Sequence, residues 1–521
     1  MRIFVFFLGL SIAFFSSSQE TIEWSQLIKT KGQVNKILPN SGSDFYTIRF
    51  QGGALLGSNY FSHHENFLLQ KTGKIKAAVE NSTATIEYVC MINNAPYAIL
   101  MDKVGDKKIL YAQKYSQECK PVEDPIKLSE YTTSKSGWKS RGYYNFLFSK
   151  NSDFFCVEYD VPGTKDENER FGYRIFTKDF EMIAQGEYEL PYLKSEALVD
   201  KRYLSNTGDY FISVKLFKEE EKKRLFKDNT TLSKILLMHV TSSGLEEYEL
   251  DLEGKRITDM TFSSDNDRIM TFSGLYGDKA KKEQGIKGVF YFRLNFDKKE
   301  IINSGFQEFD KDFITQDWTD RQKDRAERNE EKGKGSPELY NYEIKEMNTL
   351  SDGSIIGMLE QYYMNVVTYT DPRGYSRTTY YYHYNDIVSY KISNSGVFEW
   401  VKKIPKTQIS TNDYGYFSSI GSYINNNHLV IFFNDHIKNY NEDGTWNSNN
   451  NYAASFTKKS STVAKVEVDL KSGDINRTSF LNVKETKAIS IPKLFTVDYS
   501  KNEMILFMIY GKKEKFGLIH F

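Results

Sequence analysis

The chain has 521 residues, and its 69 Lys plus Arg balance 69 Asp plus Glu, so no net field recruits nucleic acid or anionic lipid. Tyrosine (36) and phenylalanine (37) are abundant and proline (10) is scarce, which favours pleated sheet over helix. The three cysteines are an odd number and exclude a complete disulfide framework.

Residues 1–18 place Arg2 before an apolar run from Ile3 to Phe15 and then small residues, the pattern of a secretory signal peptide cleaved after Ser18. The run is too short to serve well as a membrane span, and no later segment is long and apolar enough to be a transmembrane helix. The mature chain, 19–521, is therefore expected to be exported. Cys90 and Cys119 could pair in an oxidising compartment, but buried free thiols suit a protein of this size better.

From Tyr46 onward one pattern recurs: a strand of apolar or alternating residues, a tight polar turn, and a second strand. It reads "EYVCMINNAPYAILM" from Glu87, "NFLFSKNSDFFCVEY" from Asn145 and "RYLSNTGDYFISVKLF" from Arg202. Turns fall near 52, 93, 150, 206, 264, 352, 426 and 500, with Asn, Asp, Ser and Gly supplying the turn conformations. Such a period predicts an all-β chain forming a single β-propeller of about seven blades, with six to eight allowed. Two packed β-sandwiches are the alternative. Ring closure should place 24–38 in one blade with 494–521.

The longer periods contain insertions. The segments 217–229 and 312–338 are dense in charge; the second is expected to start a helix docked by Phe313 and Trp318 and ended by Gly333 and Gly335. A long hairpin spans 355–392 around Asp371, Pro372, Arg373 and Gly374. A four-residue turn would set Thr370 opposite Tyr375 and put Tyr382 and Tyr384 on the face of Val388 and Tyr390. Tyr362, Tyr381 and His383 would then face outward with Tyr375 at the tip, as candidate binding residues.

Chemical motifs are sparse. There is no nucleophile elbow, phosphate loop or zinc-protease helix, and His63 and His64 are strand neighbours pointing to opposite faces. In "NYNEDGTWNSNN", Asn439, Asn441 and Asp443 match the opening of a calcium loop. The twelfth position, however, is Asn450 instead of a bidentate glutamate, so calcium would find little charge there. "NEDGTW" also resembles the Asp-box of sialidase-type propellers with one residue missing before Gly444, a turn motif that would leave Trp446 exposed for binding.

The phrases "SGLYGDKAKKEQGIKGVFYFRL" (273–294), "GMLEQYY" (357–363), "DIVSYKISNSGVFEWVKKIPKTQ" (386–408) and "VIFFND" (430–435) resemble uncharacterised exported β-propeller-like proteins of bacteroidete-type Gram-negative bacteria. That resemblance covers roughly 140–510. It implies a periplasmic or outer-membrane setting and no assigned catalytic residue. Two functions follow as expectations: a non-catalytic module for an envelope protein partner, or a carbohydrate-binding or carbohydrate-active propeller. A central funnel with several carboxylates and a Trp would favour the second, and an apolar one the first.

Overall fold

The computed structural model describes residues 22–521 except 53–56, 80–81, 134–143, 162, 218–231, 242–243, 250–254, 265–268, 278–284, 317, 333–335, 426 and 458. Residues 1–18, expected to be a signal peptide, almost all of the 217–229 insertion, and Gly333 and Gly335 lie outside these residues.

Among the described residues, eight antiparallel sheets of four or more strands follow one another. Seven are local and ordered as in sequence: blade 1 (33–74), blade 2 (85–132), blade 3 (144–193), blade 4 (197–249), blade 5 (256–308), blade 6 (342–404) and blade 7 (420–482). The eighth combines both ends of the chain. Lys513–His520 pairs Glu503–Tyr510 on one side and Ile22–Trp24 and Ile28–Lys29 on the other.

The second strand of each blade is nearly continuous in apolar residues because both of its faces are covered. In His428–His436, Val430 and Phe432 pack toward blade 8 while Ile431 and Phe433 pack toward blade 6. One buried cluster lies between every pair of neighbours. Phe45 with Phe507 joins blades 1 and 8, Tyr46 with Leu100 blades 1 and 2, and Ile99 with Val157 blades 2 and 3. The series continues through Tyr173 with Val214, Phe211 with Phe272, Tyr291 with Tyr390, Met358 with Ile431, and Phe432 with Leu506. A ring of sheets with a core at each junction is a closed eight-bladed β-propeller.

The expected closure is half right. Residues 22–29 complete blade 8, but Gly32 turns the chain with φ +82, and Gln33–Ser41 opens blade 1 instead. The insertion between blades 5 and 6 forms helices Lys311–Thr315 and Asp320–Glu331. Ile314 is buried in the junction core with Phe313 and Trp318 against it, whereas the second helix buries nothing.

The long hairpin comprises Ile355–Thr370 and Ser376–Ile392, within the expected bounds, but its register is shifted by one. The loop is 371–375, five residues. Asp371 donates its N–H to the Tyr375 carbonyl, and Gly374 adopts φ +84 in a turn with an added bulge residue. Thr370 therefore faces Ser376, Tyr362 faces Tyr384, and Tyr363 faces His383. A second bulge sets Asn385 and Asp386 against Gln361. In consequence Tyr382 and Tyr384 continue the face of Ile387, toward blade 7, and not the face of Val388 and Tyr390.

Candidate functional site

Two places combine exposure with chemistry: the hairpin that leaves blade 6, and the mouth of the central channel at the opposite ends of the inner strands.

The base of the hairpin is fixed by a buried charge network. Glu360, fully buried, accepts from Lys406 Nζ at 2.7 Å through one oxygen and from Ser419 Oγ at 2.6 Å through the other, which also lies 2.9 Å from Lys345 Nζ. Burial pushes this carboxyl up, but Lys406 and Lys345 outweigh it and leave it below the usual range. Lys406 also donates to the Tyr384 carbonyl and to Gln408. Gln408–Thr411 then pairs with 381–384 along the outer edge of the hairpin. Tyr382 is only 7% exposed, with Tyr414 5.9 Å away, and Tyr384 tilts against Tyr362 at 4.7 Å.

Beyond this base the hairpin stands clear. Met364, Val366, Val367, Tyr369, Tyr375 and Tyr380 are all exposed, with Tyr375 at 76% and Tyr369 at 67%. Of the residues expected to bind, Tyr375 is at the tip, while Tyr362, Tyr381 and His383 are half-buried at its root. His383 stacks on Tyr363 at 4.4 Å, and burial lowers its pKa. Tyr369 and the Val366–Val367 pair are the residues that sequence reasoning missed; they are exposed because their strand continues past Gln361, where the inner strand stops pairing with it.

Trp446 lies far along the chain in blade 7. It is half-buried, with the Arg477 guanidinium 5.0 Å from its ring, and so packs where exposure had been expected. Arg477 in turn pairs with buried Asp435. Asn439 is buried and accepts from the Tyr452 N–H, Asn441 accepts from Asn447, and Asp443 accepts from Thr445. Asn441 and Asp443 thus meet at the Thr445 hydroxyl within their own loop, while Asn439 turns away to Asp435 and Tyr452. His63 and His64 occupy opposite faces as expected, His63 bonded to Asp44 at 2.9 Å and His64 stacked on Phe45 at 4.7 Å. Cys90, Cys119 and Cys156 are free and buried; burial pushes the Cys90 thiol up to about 12 and that of Cys119 to about 11.

At the channel mouth the turns joining first and second strands bound two adjoining cavities of about 560 and 490 Å³, both lined by Lys150 and Tyr499. Tyr88, Asn94, Asn151 and Asn348 also line them. Glu346, on the inner strand of blade 6, accepts from Ser422 at 2.9 Å, and burial raises its pKa. Partial desolvation by the surrounding turns lowers that of Lys150, and the same effect with nearby Glu346 pushes Tyr499 up to about 12, although both side chains keep exposed surface at the mouth. The lining mixes polar side chains with apolar ones such as Leu38, Phe148 and Leu470, and no Trp is among the residues lining the two cavities.

No family model and no curated protein matches the sequence. Among solved structures, prolyl oligopeptidase B from Galerina marginata is similar at TM-score 0.36 and 11% identity, covering 94% of this chain and 55% of that one. The present chain thus spans about half the length of that enzyme. A protein of unknown function from Bacteroides caccae (TM-score 0.27, 8% identity) is covered over 93% of its length by 68% of this chain. For the polysaccharide lyase Uly1 the values are TM-score 0.34 and 9% identity, with 86% of this chain covering 91% of that one. These are likenesses of chain architecture alone.

Proposed function

We propose that this protein is an exported, non-catalytic propeller that binds an envelope protein partner through the tip of the blade 6 hairpin. The carrying observation is the exposure of Tyr369 and Tyr375 beside Val366 and Val367 on a preformed two-stranded arm. Val367 and Tyr369 share one face of the arm and Met364 and Val366 the other, so both faces carry exposed apolar groups of the kind that mark interaction sites, and rigid tyrosines lose little conformational freedom on docking. The sparse catalytic motifs and the resemblance to exported propellers agree with this reading. Carbohydrate binding at the channel mouth is the second reading, supported by the amides around Tyr88 and Tyr499.

The test is affinity purification of the tagged protein, mature from Gln19, from solubilised envelopes. Tyr369→Ser with Tyr375→Ser should leave the melting temperature unchanged, since exposed substitutions stay within about 0.5 kcal/mol. The same change should weaken a stoichiometric protein complex at least tenfold, because interface tyrosines can each contribute about 2 kcal/mol. A complex that survives the double substitution refutes the hairpin as the recognition element. Release of the bound material by free sugars would favour the channel.

A further inference from the structure

We infer that the inner edge of the hairpin strand Ile355–Thr370 is a homotypic docking edge, which pairs antiparallel with the same edge of a second copy of this chain. The inference rests on the reading of the hairpin as a recognition element and names one occupant for it.

The phase of the strand decides which groups are available. The inner strand Tyr342–Thr349 accompanies Ile355–Thr370 only as far as Gln361. The last bond on that side is from the Tyr362 N–H to the Asn341 carbonyl, 2.8 Å. Alternation then directs the N–H and C=O of Met364, Val366, Thr368 and Thr370 to the same side. Among the described residues no backbone group pairs with them there. The other edge of the hairpin is treated differently: Gln408–Thr411 covers 381–384, and Asn412 then exchanges two hydrogen bonds with the Tyr380 backbone.

Folded proteins protect exposed strand edges with charge, proline or bulges. Residues 362–370, YYMNVVTYT, contain no charge and no proline, and no bulge interrupts them beyond the pairing of Tyr362 with Tyr384. An edge of this kind is complementary to itself, because antiparallel self-pairing sets no like charges opposite each other. The open groups are centred on Val367, and that centre defines a two-fold axis. Val366 would pair with Thr368 of the second copy and Met364 with Thr370 of the second copy, giving about eight backbone hydrogen bonds. Val367 would face Val367 of the second copy in a close, non-hydrogen-bonded pair. The pairing stops by itself: Pro372, which has no N–H, falls opposite Tyr362, whose N–H is already bonded to Asn341.

Cysteine cross-linking of the mature protein reads this register directly, since all three native thiols are buried. Val367→Cys should form a disulfide dimer under mild oxidation at least tenfold faster than Arg373→Cys, whose two copies would lie at opposite ends of the paired arms. Sedimentation equilibrium should show a concentration-dependent doubling of the 60.6 kDa chain, less its leader. Val366→Lys with Thr368→Lys should abolish the doubling without moving the melting curve. If that variant fails to fold, the relative cross-linking rates of the two cysteine variants decide. A monomer at all concentrations, equal cross-linking rates, or a dimer that persists in the folded double-lysine variant overturns the inference. A monomer that still binds an envelope partner through Tyr369 and Tyr375 overturns only the homotypic edge. A dimer whose hairpin binds no partner overturns only the proposed function.

Discussion

Acid should loosen the ring at the junction of its two chain ends, and one histidine makes the effect measurable. His64 is fully buried in blade 1 beside the ion pair that ties blade 1 to blade 8, in which Arg49 donates to both Glu514 oxygens at 2.5 and 2.7 Å. Its Nε2 lies 3.3 Å from Arg49 Nη2 and 3.1 Å from Thr47 Oγ1, so it acts as an acceptor and the ring is neutral. Burial, reinforced by Arg49, lowers its pKa from 6.5 to about 3. A folded-state pKa below the unfolded one means that the stabilisation is complete above pH 6.5 and is lost as pH falls toward 3. At pH 5 the loss from this group is about 2 kcal/mol, from 1.36 kcal/mol per pH unit below 6.5. His64→Gln keeps an acceptor for Arg49 and cannot titrate. Urea unfolding of both proteins at pH 7.5 and pH 5.0 should therefore show a pH-dependent loss about 2 kcal/mol larger for the natural chain. Equal losses, or an imidazole resonance of His64 titrating near 6.5 in the folded protein, would refute the reasoning.

Two further outcomes test the same architecture. Truncation after Tyr510 removes Lys513–His520, and with it the partner of Ile22–Trp24 and the Glu514 carboxylate, so soluble expression should be lost; a truncated chain that melts like the full one would count against ring closure. Lys406→Met takes from buried Glu360 one of its two cations and leaves Lys345, so it should cost less than the about 3 to 5 kcal/mol of a fully stranded charge in thermal or urea unfolding, with much of the loss recovered when Glu360→Gln is added.

Much of this ring was legible because its second strands are buried on both faces and its first turns are short and polar. Of the eight turns read from sequence, those near 93, 150, 206, 352 and 500 lie between the first and second strands of their blades, while those near 264 and 426 reach residues outside the described ones, 265–268 and 426. The eighth was placed one turn late. The first turn of blade 1 is at Gly42, with φ +54, and the Gly52 turn joins its second and third strands. Correcting it removes the short first period. The hairpin bounds were legible but its faces were not: Asp371 accepts from the N–H groups of both Arg373 and Tyr375, which makes a five-residue loop where four were expected. The longer loop shifts the cross-strand partners by one, and the bulge at Asn385 and Asp386 then moves Tyr382 and Tyr384 to the face opposite Val388 and Tyr390. The ion pairs were hidden for a different reason. Arg49 and Glu514 meet only when the ring closes, and nothing local in either strand announces the other.

The corrected register also separates two kinds of tyrosine that look alike in sequence. Tyr382 and Tyr384 sit over the Glu360–Lys406 network and against Tyr414 and Gly415, so packing accounts for them. Tyr369 and Tyr375 have no such account. They extend past the last core contact, on an arm whose inner edge keeps its hydrogen-bonding groups unused and uncharged. An arm that served only blade 6 could end at Tyr362, where the inner strand ends, without loss to any of the eight junction cores. The eight further residues of Ile355–Thr370 add exposed apolar surface and an open edge, both of which favour aggregation unless something covers them. Stability of the ring cannot explain their presence, and recognition can.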